Sequence, residues 1–353
     1  MSVAEPAAAE SLEDLEARQI DPTKALLEVD RLIMHYKIKA GEVSAVEDVS
    51  FTVHEGEAVG LVGESGCGKT SIALSLLRLL PSNAEFISGE IRLNGEDLLW
   101  LSPEEMRQRR WKEIAMVFQG AMNSWNPVYR VGDQIRETLD THYRGVMDYD
   151  EQRAHMEKLF TAVGLPPTML DRYPHEFSGG MRQRAVIAMA LACSPQLIIA
   201  DEPTTALDVI VQDQILKELK RIQAELGMSI IYISHDIAVI AEVTDSLGVM
   251  YAGKLVEYGK TAEIFARPKH PYAYLLLRST PSITGPRRQL APLQGEPPDL
   301  FRPPPACRFH PRCPFATEIC SREEPPLEDI GGGHKVACWH HDQVPELDAA
   351  LQR

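Results

Sequence analysis

One octapeptide constrains the fold of this chain more than any other stretch. Gly63-Glu-Ser-Gly-Cys-Gly-Lys-Thr70 fits the pattern G-x4-G-K-[ST] at every fixed position. The apolar run AVGLV precedes it and the helical run SIALSLLRLL follows it, which is the strand–loop–helix setting that the pattern requires. Glycines let such a loop wrap a phosphate with its backbone amides, and the next helix adds the positive end of its dipole. The sequence therefore predicts a phosphate-binding loop, called the P-loop below.

The P-loop supplies most of the predicted nucleotide contacts. Lys69 is expected to reach the β- and γ-phosphates, and the Thr70 hydroxyl is expected to bind Mg²⁺. The full set of expected contacts in this segment is Gly63, Glu64, Ser65, Gly66, Cys67, Gly68, Lys69, Thr70 and Ser71.

A second apolar run ends in two carboxylates. QLIIADEP places Asp201 and Glu202 where a buried strand stops. Asp201 is predicted to orient Mg²⁺, and Glu202 to act as the general base on an attacking water. A third run, SIIYISHD, reads as another strand, with helical segments between the strands. This order predicts a parallel α/β sheet whose ligand lies at the carboxyl ends of its strands.

A second anion site is predicted where Ser178, Gly179 and Gly180 precede the helical run AVIAMALA. A serine at a helix start exposes backbone amides that bind anions. An ordinary helix cap alone would also explain Ser178. It would not explain why a second phosphate site follows the first one in the same chain.

These motifs together resemble the ATP-binding cassette (ABC) ATPase family over about residues 26–265. In chain order they are the P-loop, Phe118-Gln119, Ser178-Gly179-Gly180, Asp201-Glu202, Ala206-Leu207-Asp208 and His235. The resemblance implies an α/β fold: a RecA-like P-loop NTPase core of the ABC type with an inserted helical subdomain. It also implies a head-to-tail dimer in which the Ser-Gly-Gly signature closes over the γ-phosphate bound to the partner subunit.

The same resemblance implies roles for residues outside the P-loop. Gln119 contacts Mg²⁺ and senses the transport partner, Asp208 lines the dimer interface, and His235 contacts the γ-phosphate. With Lys69 and Glu202 present as well, the site is expected to be competent for hydrolysis. The signature departs from the common Leu-Ser-Gly-Gly-Gln form at its two outer positions, which are Phe177 and Met181.

An aromatic residue upstream of the P-loop stacks on adenine in this family. Tyr36 is the candidate, in the segment MHYKIKAGEV, which is interpreted as a loop. A tyrosine of the core or the surface is the alternative interpretation.

The charge and apolar content of the chain limit the kinds of partner that we expect. The formal charge of −15 repels phosphate backbones, so nucleic acid is an unexpected partner. No apolar run approaches the roughly 18–20 residues that span a bilayer, and no basic and apolar leader is visible at the N-terminus. We expect a cytosolic chain with reduced thiols, whose membrane pore comes from separate subunits.

The sequence divides into five predicted regions. Residues 98–175 are charged and helical in pattern with little strand signal, and residues 281–305 are rich in proline. The predicted regions are a disordered or extended arm (1–25), the nucleotide-binding core (26–97 and 176–265), the helical subdomain with Gln119 (98–175), a linker (266–305) and a Cys-rich tail (306–353).

The tail holds four of the six cysteines in the spacing C-x5-C-x6-C-x17-C. Four thiols on a proline-rich segment with little core of its own suggest a metal staple. The spacing lacks the C-x2-C pair of zinc modules and matches neither common ferredoxin pattern, so spacing alone does not name the metal.

Several stretches resemble the ABC subfamily that drives dipeptide and oligopeptide importers. They are residues 118–132, His175–Arg184, His270-Pro-Tyr272, and the tail from Leu293 through its cysteines. The resemblance implies a Pro/Cys-rich C-terminal extension in which Cys307, Cys313, Cys320 and Cys338 bind a [4Fe–4S] cluster. Two alternatives stay open: zinc, with His310, His334 or His340 among its ligands, and free thiols or disulfides.

The implied function is the ATP-hydrolysing motor of a peptide importer at the cytoplasmic face of the cell membrane. Its implied partners are a second homologous ATPase subunit in a heterodimer, two transmembrane permease subunits and, indirectly, a solute-binding protein. One alternative is the same motor serving nickel or another cargo. Another is a redox-responsive iron–sulfur module that binds ATP.

Overall fold

The computed structural model describes residues 20–205, 207–279 and 293–346. Residues 1–19 of the predicted arm, Ala206, residues 280–292 of the predicted linker and residues 347–353 of the predicted tail lie outside this description. Within the described ranges, no helix is both long enough and apolar enough to cross a membrane.

The described residues form helices and strands in mixed order. The strands are β1 (Ala25–Ile38), β2 (Gly41–His54), β3 (Ala58–Val62), β4 (Ala84–Leu93), β5 (Glu96–Asp97), β6 (Ile114–Val117), β7 (Leu197–Asp201), β8 (Ser229–Ser234), β9 (Ser246–Tyr251), β10 (Lys254–Lys260), β11 (Glu328–Asp329) and β12 (Lys335–Val336). The α-helices are α1 (Lys69–Leu76), α2 (Pro103–Arg109), α3 (Val131–His142), α4 (Tyr149–Ala162), α5 (Gly179–Leu191), α6 (Val209–Leu226), α7 (Ile237–Val243), α8 (Thr261–Ala266), α9 (Pro271–Ser279) and α10 (Glu318–Arg322).

The described residues divide into two units, of which the first comprises Ser102–Ile230 and residues 20–23. Its strands β6 and β7 pair in parallel, with Ile114 opposite Leu197 and Val117 opposite Ala200. Every residue of β7 is buried. A short strand that is apolar up to its last residue and buried throughout is typical of a parallel sheet that is covered on both faces.

Local capping sets where the helices of the first unit begin. Ser102 and Glu105 form a capping box at α2, and Asp148 and Glu151 form another at α4. Each box satisfies two backbone amides that a helix start leaves without partners. The helix α6 ends at Gly227, whose φ of 61° suits a glycine C-cap.

The second unit comprises Lys24–Leu101 and the described residues from Ile231 onward. One of its sheets has the strand order β2-β1-β4-β5. In the other sheet, β3 pairs in parallel with β9, β9 pairs antiparallel with β10, and β10 pairs antiparallel with β12. The tail therefore contributes strands β11 and β12 to the fold of this unit.

Aromatic packing joins the tail to the core of the second unit. The ring of Phe309 lies 5.1 Å from the ring of Tyr251 and 5.4 Å from that of Tyr272, measured between centroids. Phe309 is buried. The tail thus has apolar anchoring of its own, in addition to its cysteines.

One local prediction is wrong. The segment 34–43, expected to be a loop, lies almost entirely in the β1–β2 hairpin, where Ile38 pairs with Gly41 across a tight turn. The region 98–175, expected to be helical with little strand structure, is mostly helical and contains the one short strand β6. The four residues of β6, IAMV, are all apolar, so they lack the alternation of apolar and polar residues that marks a half-buried strand.

Candidate functional site

The P-loop connects β3 to α1 in the second unit, and glycine backbones shape it. Gly68 caps α1 with a φ of 105°, and a Cβ atom placed there would lie 2.3 Å from the carbonyl oxygen of Ala45. Gly63 has a φ of 154°, and its Cβ would lie 2.2 Å from the carbonyl oxygen of Met250. Only glycine accepts both the backbone conformation and the close approach.

Lys69 is enclosed by the loop that precedes it. Its side chain is 6% exposed, and its ammonium group donates hydrogen bonds to the carbonyl oxygens of Gly63 (2.7 Å) and Glu64 (3.0 Å). The sulfur of the buried Cys67 lies 3.5 Å from the same nitrogen. A charged donor held at a helix start by weak carbonyl acceptors is placed to exchange them for phosphate oxygens.

The P-loop has one side that is open to solvent. Ser65, Gly66 and Thr70 are exposed, whereas Cys67 is buried. Burial raises the pKa of the Cys67 thiol, against the lowering effect of the nearby Lys69 ammonium. Cys67 is therefore a small packing residue in this loop, as its burial indicates.

Tyr36 lies on β1 beside the first turn of α1. Its hydroxyl is 3.2 Å from the Ser71 hydroxyl. The ring is half-buried, so part of its face stays accessible. This contact places Tyr36 near the P-loop within the second unit.

In the first unit, the side chains of Gln119, Glu202 and Thr205 meet at the end of β7. The Gln119 amide donates to Oε2 of Glu202 at 2.7 Å, and the Thr205 hydroxyl donates to the same oxygen at 2.8 Å. Asp201 is the last residue of β7 and is 1% exposed. Thr205 was not predicted from the sequence, because a threonine after Asp-Glu-Pro has no distinctive pattern of its own.

The signature segment lies at the start of α5, also in the first unit. The Ser178 hydroxyl accepts a hydrogen bond from the backbone amide of Met181 at 3.3 Å, so it caps the helix. A Cβ on Gly180 would lie 2.8 Å from a methyl carbon of Val211. Gly179 and Gly180 are half-buried within the first turn, which leaves the backbone of this turn approachable.

Asp208 and His235 follow the ends of other elements. Asp208 caps α6 by accepting from the Val211 amide at 3.0 Å, a structural role that does not depend on a partner subunit. His235 comes directly after β8 in the second unit, and its side chain is exposed. An exposed polar residue at a strand end is accessible to a ligand.

The four tail cysteines line one small cavity in the second unit. Cys307, Cys313, Cys320 and Cys338 share it with His310, Trp339 and His340. Burial raises the pKa of Cys307, and it raises the pKa of Cys313 and of Cys338 to about 12. Four thiols around one cavity are a donor set that an iron–sulfur cluster takes, and zinc takes the same set.

The same side chains, as the structure places them, do not form a metal site. Among the described parts of the chain, no group of three or more His, Cys, Asp or Glu side chains is placed to hold a metal ion. The predicted histidine ligands have other partners. His334 lies 2.7 Å from the buried Glu257, His340 lies 2.8 Å from the Thr317 hydroxyl, and His310 lies 2.9 Å from the Cys307 carbonyl.

One residue beside the P-loop was missed by sequence reasoning. Arg312, in the tail, makes two hydrogen bonds to the carboxylate of Glu64, at 2.7 and 3.0 Å. The two residues are 248 positions apart, so no local sequence pattern predicts that they interact. Glu64 therefore directs its side chain to the tail.

Comparisons with known proteins cover nearly the whole chain. The family model described as "ABC transporter" matches residues 46–205, and that of the "Oligopeptide/dipeptide transporter, C-terminal region" matches residues 256–320. The dipeptide transport ATP-binding protein DppD of Bacillus subtilis is 45% identical over 91% of this chain and 96% of its own length. The oligopeptide transport ATP-binding protein OppD of Salmonella typhimurium is 44% identical over 93% of this chain and 98% of its own length.

A solved structure gives the same fold. The dimeric ATP-binding cassette MJ0796, in a post-hydrolysis state bound to ADP and phosphate, has a TM-score of 0.60 and 27% identity. It is matched over 67% of this chain and 98% of its own length. The predicted RecA-like P-loop core of the ABC type is thereby confirmed.

Proposed function

This chain belongs to the family of ATP-binding subunits of dipeptide and oligopeptide ABC transporters, and we propose that it hydrolyses ATP to drive peptide import. The observation that carries the proposal is the folded P-loop, in which the buried Lys69 ammonium is held at the start of α1 by two loop carbonyls. The family match along the tail favours peptides over nickel or another cargo.

The reaction transfers the γ-phosphoryl group of ATP to water. The oxygen of water bonds to the γ-phosphorus, the bond from that phosphorus to the bridging oxygen breaks, and ADP and phosphate leave. Glu202 accepts the proton of the attacking water. Lys69 and His235 stabilise charge on the γ-phosphate, and catalysis comes mostly from positioning and electrostatics.

Mg²⁺ would be held by Thr70, Gln119 and Asp201, and it would neutralise charge on the β- and γ-phosphates. Their oxygen atoms suit this hard cation. The buried position of Asp201 and the exposed hydroxyl of Thr70 support these assignments, each within its own unit. Tyr36 would stack on adenine, which its position beside Ser71 supports.

Two such subunits would form the working dimer. Ser178, Gly179 and Gly180 would bind the γ-phosphate on the partner subunit, and Asp208 would line the interface. The capped start of α5, with two glycines in its first turn, supports an anion site there. The partner is a second homologous ATPase subunit, in a heterodimer.

Coupling to transport requires further subunits. Two transmembrane permeases would receive the motion of the Gln119 region, and a solute-binding protein would deliver the peptide. The chain would then work peripherally, at the cytoplasmic face of the cell membrane. We assign five regions to the chain. They are an arm (1–25), a nucleotide-binding core (26–97 and 176–265), a helical subdomain (98–175), a linker (266–305) and a tail (306–353).

The tail cysteines would hold a [4Fe–4S] cluster as a structural staple. The cluster, when bound, supplies iron–thiolate bonds that tie Cys307, Cys313, Cys320 and Cys338 together. All four line one cavity, which supports a shared ligand, and the histidines that a zinc site could recruit have other partners. Phe309 and strand β12 anchor the same segment to the second unit.

The test is phosphate release and transport by the assembled importer. We expect Mg²⁺-dependent ATP hydrolysis and uptake of a labelled dipeptide into proteoliposomes that contain the chain, its partner ATPase and the permeases. Lys69→Ala should abolish both activities. Uptake of Ni²⁺ in place of the dipeptide, or hydrolysis without uptake of any peptide, would contradict the proposal.

A further inference from the structure

Arg312, in the tail, bonds through every N–H group of its side chain to the P-loop, to β9 and to the segment before the tail. A guanidinium group has five N–H donors in a fixed fork. In this chain they reach both carboxylate oxygens of Glu64, the Tyr251 hydroxyl at 3.3 Å, and the carbonyls of Gln294 (2.8 Å) and Gly295 (3.2 Å). The side chain is 7% exposed, so these bonds are made largely out of water.

Glu64 is held at three points. Its carboxylate meets Arg312, its amide donates to the Tyr272 hydroxyl at 2.9 Å, and its carbonyl accepts from Lys69 at 3.0 Å. The last bond puts the backbone of Glu64 in direct contact with the ammonium group that binds phosphate. A free carboxylate at this position would oppose a triphosphate, because like charges repel and the Glu64 side chain is only 22% exposed.

We propose that Arg312 is a positioning residue for nucleotide binding: it neutralises the Glu64 carboxylate and fixes it away from the phosphate site. This inference rests on the proposed function, since it concerns the same P-loop. The tail then acts on the ATP site directly, in addition to whatever its cysteines bind. Arg312 precedes Cys313, so one short segment carries both the cysteine and the contact with the P-loop.

A lysine does not replace this arginine. Lysine offers a point charge with three donors, and it lacks the planar fork that holds two carboxylate oxygens at once. Removing the arginine outright leaves a charged, partly buried carboxylate without its partner, which is costlier than removing both groups. The double variant is therefore expected to be less impaired than the single arginine variant.

The experiment measures the Kd of fluorescent N-methylanthraniloyl-ATP with Mg²⁺, and the KM and kcat of phosphate release. Arg312→Ala should raise Kd and KM about tenfold, with kcat changed less than about twofold. Arg312→Lys should fall between it and the wild type. Glu64→Gln with Arg312→Ala should recover most of the affinity lost in Arg312→Ala, because the double variant removes the unpaired carboxylate.

Arg308→Ala is the matched control. Arg308 lies in the same tail segment and is 9% exposed, but it bonds to Ala252, Ser44 and Glu47, none of which is in the P-loop. It should lower the melting temperature without raising the Kd. Equal Kd values for Arg312→Ala and the wild type would overturn the inference, and so would a double variant as weak as Arg312→Ala. A wild-type chain that binds no ATP would overturn both the inference and the proposed function.

Discussion

The side-chain amide of Gln119 lies 2.7 Å from Oε2 of Glu202 and donates a hydrogen bond to it. Thr205 donates to the same oxygen, so two donors from separate segments hold one carboxylate in one orientation. Glu202 has a φ of 46°, a left-handed conformation that is rare for residues other than glycine. Strained backbone of this kind is concentrated at functional sites, where the surrounding structure maintains it.

Glu202→Gln is expected to keep ATP binding and to lose hydrolysis. The amide is nearly isosteric with the carboxylate but does not accept the proton of water, so phosphate release should fall at least about 100-fold. The Kd for N-methylanthraniloyl-ATP, measured beside the rate, should stay near the wild-type value. Thr205→Ala is the control, since it removes one hydrogen bond and should cost less than about tenfold. Undiminished turnover in Glu202→Gln would exclude this residue as the base.

The parts of the site that sequence reasoning predicted are local in the chain. The P-loop depends on glycines with positive φ next to a buried strand and a helix start, and all of these signals lie within residues 58–76. The end of β7 is similar, because an apolar run followed by Asp201 and Glu202 is visible in a short window.

The parts that were missed depend on distant partners. The Glu64–Arg312 pair joins residues 248 positions apart, and β6 is recognisable as a strand only through its pairing with β7. Tyr36 was assigned to a loop, although it pairs with Val43 in a hairpin whose turn contains no Asn-Gly or Asp-Gly signal. Tertiary contacts decided these features, and one sequence does not contain a pattern for them.

The tail should carry iron and sulfide. Protein purified without oxygen is expected to contain about four iron and four sulfide per chain, because the four cysteines line one cavity. Replacing Cys307, Cys313, Cys320 and Cys338 with serine should abolish both. Cys193→Ala is the control, since this buried residue lies in the first unit and should leave the iron content unchanged. Zinc without iron, or no metal at all, would contradict the cluster assignment.

Gly68→Ala should disrupt the P-loop far more than Gly66→Ala. Both glycines have positive φ, but a Cβ on Gly68 would lie 2.3 Å from the Ala45 carbonyl, whereas a Cβ on Gly66 has nothing within 4 Å. Gly66→Ala should therefore cost only about 1 kcal/mol of backbone strain, and Gly68→Ala should cost several times more. Thermal unfolding without nucleotide measures the difference. Equal melting temperatures for the two variants would show that the close approach at Gly68 is relieved at little cost.

Acid should destabilise the first unit through His155. Burial in α4 lowers the pKa of this ring below its ordinary value of 6.5, while its hydrogen bond to the Ala192 carbonyl (2.8 Å) acts in the opposite direction. Below about pH 6.5 the unfolded chain then binds more protons than the folded chain. Above about pH 6.5 the contribution of His155 to the free energy of unfolding is at its maximum. Between that pH and the lower pKa of the folded state, the free energy of unfolding falls as the pH falls, by up to about 1.4 kcal/mol per pH unit.

His155→Gln should flatten this dependence, because glutamine keeps a donor for the Ala192 carbonyl and does not titrate. The measurement is urea unfolding at pH 7.5, 6.5 and 5.5, followed by circular dichroism. The exposed His175, also in the first unit, provides the control: His175→Gln should leave the slope as it is in the wild type. If His155→Gln loses stability between pH 6.5 and 5.5 as steeply as the wild type, the acid sensitivity arises from groups other than this buried ring.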